Sequence, residues 1–177
     1  VGYNVQTAVE TKHHLIVTHE VTNVGSDRAQ LVKMAEAARE ALGTTELTAI
    51  ADRGYYSSEQ IKGCEDAGIA PVVPKPITSN SSAGGRYEKW DFTYLPKRDA
   101  YRCPAGEYAI HRFASEMNGL MIHKYWSSAC PRCALQSKCT TSKYRRLTRW
   151  EHEAVLERMQ ARLERDPTLM NIRRRTV

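Results

Sequence analysis

No apolar run in the chain approaches the roughly 18 to 20 residues that a membrane-spanning helix needs, so no membrane role is expected. The chain opens Val-Gly-Tyr-Asn-Val, with no initiator methionine and no basic n-region of a secretory signal. It ends Ile172-Arg-Arg-Arg-Thr-Val177 without a helix-stopping residue. Both ends read as cuts through structure, and a piece of a longer protein is the expectation. The five cysteines, Cys64, Cys103, Cys130, Cys133 and Cys139, are odd in number and hold one tight C-x-x-C pair. That count argues against a disulfide framework and for a reducing, cytoplasmic setting. Nothing matches a nucleotide-binding glycine loop, a nucleophile elbow or a zinc-protease helix.

What is present is an ordinary globular composition: 177 residues, 41% hydrophobic and 26% charged. That length supports one good-sized domain, alone or with a small appendage. The net charge of +6 is unevenly spread. Residues 1–95 carry 9 Lys/Arg against 12 Asp/Glu, whereas residues 96–177 carry 17 against 8. A basic second half fits a phosphate-rich partner as well as it fits a plain solvated surface.

The stretch around which the chain is organised is Leu47-Thr-Ala-Ile-Ala-Asp-Arg-Gly-Tyr-Tyr-Ser57. Leu47 to Ala51 has the near-continuous apolar pattern of a central strand. Asp52 follows at its carboxyl end, Gly54 allows a tight turn, and Ser57 with Gln60 forms a capping box for a helix over 57–67. Open α/β sheets place their chemistry at such strand ends, although a lone aspartate there is more often a turn cap. Upstream, residues 3–9 and 14–21 read as a hairpin, with His13 and His14 in its turn, and a helix follows from Ser26-Asp27 to Gly43. Ile69 to Pro74 is a further, proline-bounded strand, and Cys64 is a small core residue. The order β-β-α-β-α-β implies a mixed sheet crossed by helices. Residues 75–85 form a Ser/Gly/Pro-rich loop, and 90–95 with 99–103 suggest a small hairpin. From Thr148 the pattern reads as helical, with a capping box to Glu151 and a break at Asp166-Pro167.

Two further motifs stand out. Cys103, then Cys130-Pro-Arg-Cys133, then Cys139 suit a tetrahedral zinc site; an iron–sulfur cluster or unligated thiols are the other readings. His111 and His123 lack ligand spacing. The stretch 138–149 interleaves hydroxyls and Tyr144 with Lys143, Arg145, Arg146 and Arg149, and Arg173, Arg174 and Arg175 form a second basic cluster; both match phosphate contacts. Asp27 and Glu10 are the local candidates to accompany Asp52 on a metal ion, but neither sits at a strand end facing it.

Taken together, Gly2-Tyr-Asn-Val-Gln-Thr-Ala-Val9, Glu20-Val-Thr-Asn23 with Ser26-Asp27, and Ala51-Asp-Arg-Gly-Tyr-Tyr56 resemble the catalytic domain of bacterial DDE-type insertion-sequence transposases. Tyr101-Arg-Cys-Pro-Ala-Gly106, the later cysteines and Arg149-Trp-Glu-His-Glu153 resemble the branch with a cysteine-bearing insertion. The resemblance implies an RNase H-like α/β fold plus a small zinc-ribbon-like insertion. Its expected parts are a first core segment over 1–76, the insertion over 77–147 and a helical return over 148–177. It also implies DNA cleavage and strand transfer with Mg²⁺ or Mn²⁺, on DNA as partner, by a homo-oligomer acting at the nucleoid. Three acidic residues hold the metal ions in such enzymes, and the second maps onto Asp52. The first would lie upstream of Val1 and the glutamate beyond Val177, so these residues alone are expected to be inactive. The competing readings are a non-catalytic, zinc-stapled nucleic-acid-binding module, with Asp52 as a turn residue, and an inactive remnant of a mobile element.

Overall fold

The computed structural model describes residues 2–76 and 84–176. The loop expected over 75–85 therefore lies largely outside the described residues. The chain divides into two compact units, Val1–Pro76 with Ala154–Val177, and Ile77–Glu153.

In the first unit, β1 (Asn4–Val9) pairs antiparallel with β2 (Ile16–Thr22), and a short 3-10 turn at Asp27–Ala29 leads into α1 (Leu31–Leu42). Next come β3 (Leu47–Ile50), α2 (Ser58–Asp66) and β4 (Ile69–Val72). β3 and β4 are parallel, as a crossover helix between them requires. Helix α4 (Glu153–Arg165) and α5 (Leu169–Thr176) complete the unit. The mixed α/β character with flanking helices matches the expected RNase H-like fold. Among the described residues β1–β2 and β3–β4 are separate ladders. The facing flanks of β1 and β3, residues 4–11 and 47–52, line a cleft of about 550 Å³ floored by Leu31, Met34, Ala35 and Ala38 of α1.

The 3, 4 and 7 spacing of α1 turns Leu31, Met34, Ala35 and Ala38 inward. Leu31 and Ala35 share a core with Ile61, Cys64, Ile69, Val73, Val155 and Met159. Full burial of each large aliphatic side chain contributes about 1.5–3 kcal/mol. That core fastens α4 to α1, α2 and β4.

The second unit is a five-stranded antiparallel meander: β5 (Thr93–Leu95), β6 (Ala100–Arg102), β7 (Tyr108–Met117), β8 (Leu120–Trp126) and β9 (Leu147–Trp150). A single helical turn, α3 (Gln136–Cys139), precedes β9. The β7–β8 hairpin turns on Asn118 and Gly119, both at positive φ (52° and 78°), the conformation that an Asn-Gly turn supplies without strain. One face of the sheet buries Phe92, Tyr101, Ala109, Tyr125 and Leu147.

Residues 147–150 correct the expectation of a helix from Thr148. They pair with β8 as a strand, and the helix begins at Glu153. The alternation Leu147-Thr-Arg-Trp150 buries Leu147 and Arg149, and the open edge of β8 outweighs the local capping signal. The stretch 148–153 falls within the second compact unit, Ile77–Glu153.

Candidate active site

β3 ends at Ile50, and Arg53–Tyr55 make one 3-10 turn with Asp52 at its N-terminal end. The Asp52 carboxylate accepts the Gly54 N–H at 2.8 Å, so the expected turn cap is present. Its second oxygen accepts from the Arg173 guanidinium of α5 at 2.8 Å.

Asp27 begins the turn before α1. Its Oδ1 accepts from Asn4 Nδ2 and from Gln6 Nε2, both at 2.7 Å. Gln6 is buried, and its Oε1 accepts the Tyr55 hydroxyl. The chain Asp27–Gln6–Tyr55 thus joins β1 to the turn that carries Asp52. A Cβ added to Gly54 would lie 3.0 Å from Asp52 Oδ1 and 3.5 Å from Asp27 Oδ2, so the two carboxylates border one point. Burial raises the Tyr55 hydroxyl above its ordinary value, and the charges of Asp27 and Asp52 push the same way against the opposing Arg173. It stays protonated and donates.

Two carboxylates supply hard oxygen donors of the kind Mg²⁺ and Mn²⁺ take. Among the described residues no group of three or more His, Cys, Asp or Glu is placed to hold a metal ion. The donors therefore fit a divalent cation in kind but form only part of a ligand set. Glu10 stands apart in the β1–β2 turn, where its carboxylate accepts the N–H groups of Lys12 and His13. The Lys12 hydrogen bond, foremost among the lowering contacts, holds it below the usual carboxylate range.

The four clustered cysteines share a neighbourhood. Burial raises the Cys139 thiol, and the nearby Cys133, Cys103 and Cys130 add to that. The Leu135 N–H lies 3.4 Å from Cys133 Sγ. Among the described residues these thiols do not form a group placed to hold a metal ion, and Cys103 and Cys139 pack against the aromatic cluster of the sheet.

Of the basic residues expected on phosphate, Arg146, Lys143, Arg174 and Arg175 are exposed. Arg145 instead donates to the Cys139 carbonyl, and Arg173 is committed to Asp52. Arg149, also expected on phosphate, is instead buried, 8% exposed, with its guanidinium 3.7 Å from the Tyr94 ring centroid. Strand alternation turns it inward.

A family model described as the transposase DDE domain matches residues 1–174. The chain belongs to the DDE transposase family. A DDE transposase acts in DNA transposition, binds DNA and uses divalent metal ions such as Mg²⁺. Neither the curated proteins nor the solved structures yielded a match. None of the helices among the described residues of the transposase domain is long and apolar enough to cross a membrane. Sequence reasoning placed Asp52 at its strand end but missed Asn4, Gln6 and Tyr55. Their signal was the alternation of β1, which turns Asn4 and Gln6 to the same side of the strand.

Proposed function

We propose that this transposase domain contributes Asp52 as a metal-binding carboxylate of the DNA cleavage and strand-transfer site, with Asp27 beside it. The observation that carries the reading is the pair of carboxylates bordering Gly54 at the carboxyl end of β3. Bound divalent ions supply activation of the attacking oxygen and charge neutralisation at the scissile phosphate. The chain's own residues hold the geometry: Asn4 and Gln6 orient Asp27, Gly54 N–H orients Asp52, and Tyr55 secures Gln6. Arg173 neutralises Asp52 and is the group that a metal ion must displace or share.

Mn²⁺ binding to the 177-residue chain, followed by calorimetry, tests this. Asp52→Ala is expected to weaken binding at least about tenfold, the effect of losing one of two carboxylates. Unchanged affinity would leave Asp52 a turn cap, the second reading, which its bond to Gly54 and its pairing with Arg173 favour. With two carboxylates gathered rather than three, these residues alone are expected not to nick a terminal-repeat substrate. Nicking that Asp52→Ala abolishes would refute that part.

A structural zinc on Cys103, Cys130, Cys133 and Cys139 draws support from the donor chemistry and from the shared neighbourhood of the thiols. One zinc per purified chain would establish it, and a metal-free, folded chain would remove it. Homo-oligomeric assembly, the cysteine-insertion branch and a nucleoid location accompany the transposase reading as its expected setting.

A further inference from the structure

The sheet of the second unit has two unlike faces. The inner one is packed with Tyr101, Tyr125 and Leu147. The outer one carries rings and cations in alternation. Phe113 pairs across the ladder with Lys124, whose ammonium lies 5.1 Å from the Phe113 ring centroid. Trp126, two residues on from Lys124 and so on the same face, stands edge-on to Phe113 at 6.0 Å and tilted to Tyr144 at 6.3 Å. Two guanidinium groups approach the Trp126 ring, Arg112 at 5.4 Å and Arg146 at 5.8 Å. Arg112 is fixed there by the Trp126 carbonyl at 3.2 Å and the Ser128 hydroxyl at 2.8 Å.

Two features argue that this face is built for a ligand. Phe113 is 47% exposed beside Ile110 at 46%, a cost that a buried sheet face would avoid. Among the described residues Arg112, Lys124 and Arg146 make no ion pair with a carboxylate. Rings that accept stacked bases, flanked by cations that meet the phosphates between them, are the chemistry of single-strand recognition. A duplex would satisfy the cations and leave the rings without partners, because its bases are already stacked.

We infer that the outer face of β7–β8–β9 is a stacking platform for single-stranded DNA, with Phe113 and Trp126 under successive bases and Arg112, Lys124 and Arg146 on the phosphates. This deepens the DNA-binding side of the reading above and names the form of DNA that this unit takes.

The test uses the whole chain and two fluorescent probes, an oligo(dT) of about 15 nucleotides and a duplex of similar length, followed by anisotropy. Phe113→Leu with Trp126→Leu is expected to weaken oligo(dT) binding about thirtyfold or more, the effect of losing two stacked bases. Duplex binding should stay within about twofold, since phosphate contacts dominate it. Trp126→Phe, which keeps a ring, should hold oligo(dT) affinity near the parent's. Arg112→Gln with Arg146→Gln should lower the salt slope for oligo(dT) by about 1.4 units, roughly 0.7 for each of the two phosphate contacts. On the unaltered chain, photo-crosslinking of 5-iodouracil-substituted oligo(dT) should mark Phe113, Trp126 or Tyr144. Parent-like oligo(dT) affinity in the double leucine variant, or crosslinks confined to other strands, would overturn the inference. A parent that binds duplex but not oligo(dT) defeats the platform alone; a parent that binds neither defeats the DNA reading with it.

Discussion

Cys64 lies fully buried on α2, and its surroundings push the thiol up to about 12, through burial first and the Glu36 charge second. A thiol whose folded value exceeds its unfolded one stabilises the fold fully below the unfolded value, about 8.5. That stabilisation is lost as the pH rises from there toward 12. Chemical denaturation of the parent at pH 8 and pH 10 should therefore show a decline, and Cys64→Ala should lack the part due to this thiol. Iodoacetamide at pH 8 should label the half-buried Cys130 and Cys133 well before Cys64, with mass spectrometry as the readout. Single residues were also where the sequence was most and least readable. Asp52 was legible because an apolar run, a carboxylate and a glycine are adjacent. Its company was legible only as a choice between Asp27 and Glu10, since Asp27 comes from a turn 25 positions earlier and is held beside Asp52 by side chains of β1.

Among the elements, the β5–β6 turn shows how a polar network sets a strand register. Asp99 adopts a left-handed conformation, φ 43°, and its carboxylate accepts the hydroxyls of Tyr94 at 2.8 Å and Tyr125 at 2.7 Å. Burial alone would raise its carboxyl. The Tyr125 and Tyr94 hydroxyls, with His111 and His123 nearby, outweigh that and hold it below the usual range. A carboxyl lowered on folding stabilises above its unfolded value and loses that contribution as the pH falls through the folded one. Asp99→Asn, which tolerates the same backbone, should cost about 1 kcal/mol at pH 7, because solvent reaches the group. The deficit should shrink toward pH 3, as urea titrations at both pH values would show. The long β7–β8 hairpin carries its signal in Asn118-Gly119 between two β-rich runs. β9 was hidden for a physical reason: only pairing with β8 makes a strand of residues that locally favour a helix start.

For the molecule as a whole, Glu65 shows how the chain's return is secured. This carboxylate, 12% exposed on α2, accepts from Arg158 and Arg162 of α4, and Arg162 also donates to the Pro71 carbonyl at 3.0 Å. Residues more than 90 positions apart are thereby joined in one unit. Glu65→Gln would strand the half-buried Arg162, so a loss of about 2–3 kcal/mol is expected, with Lys in place of Arg158 costing far less. Thermal melts of the two variants, run side by side, would show the difference.

The cleft between β1 and β3 has a bearing on how the protein behaves in a tube. Among the described residues each of these strands has one flank in a ladder and one turned to the cleft, which leaves a row of backbone N–H and C=O groups there open to a further strand. One flank accepts an antiparallel neighbour in the manner of β2, the other a parallel neighbour in the manner of β4. Two such templates side by side are expected to promote strand-to-strand association as a preparation is concentrated, which light scattering at rising concentration would show.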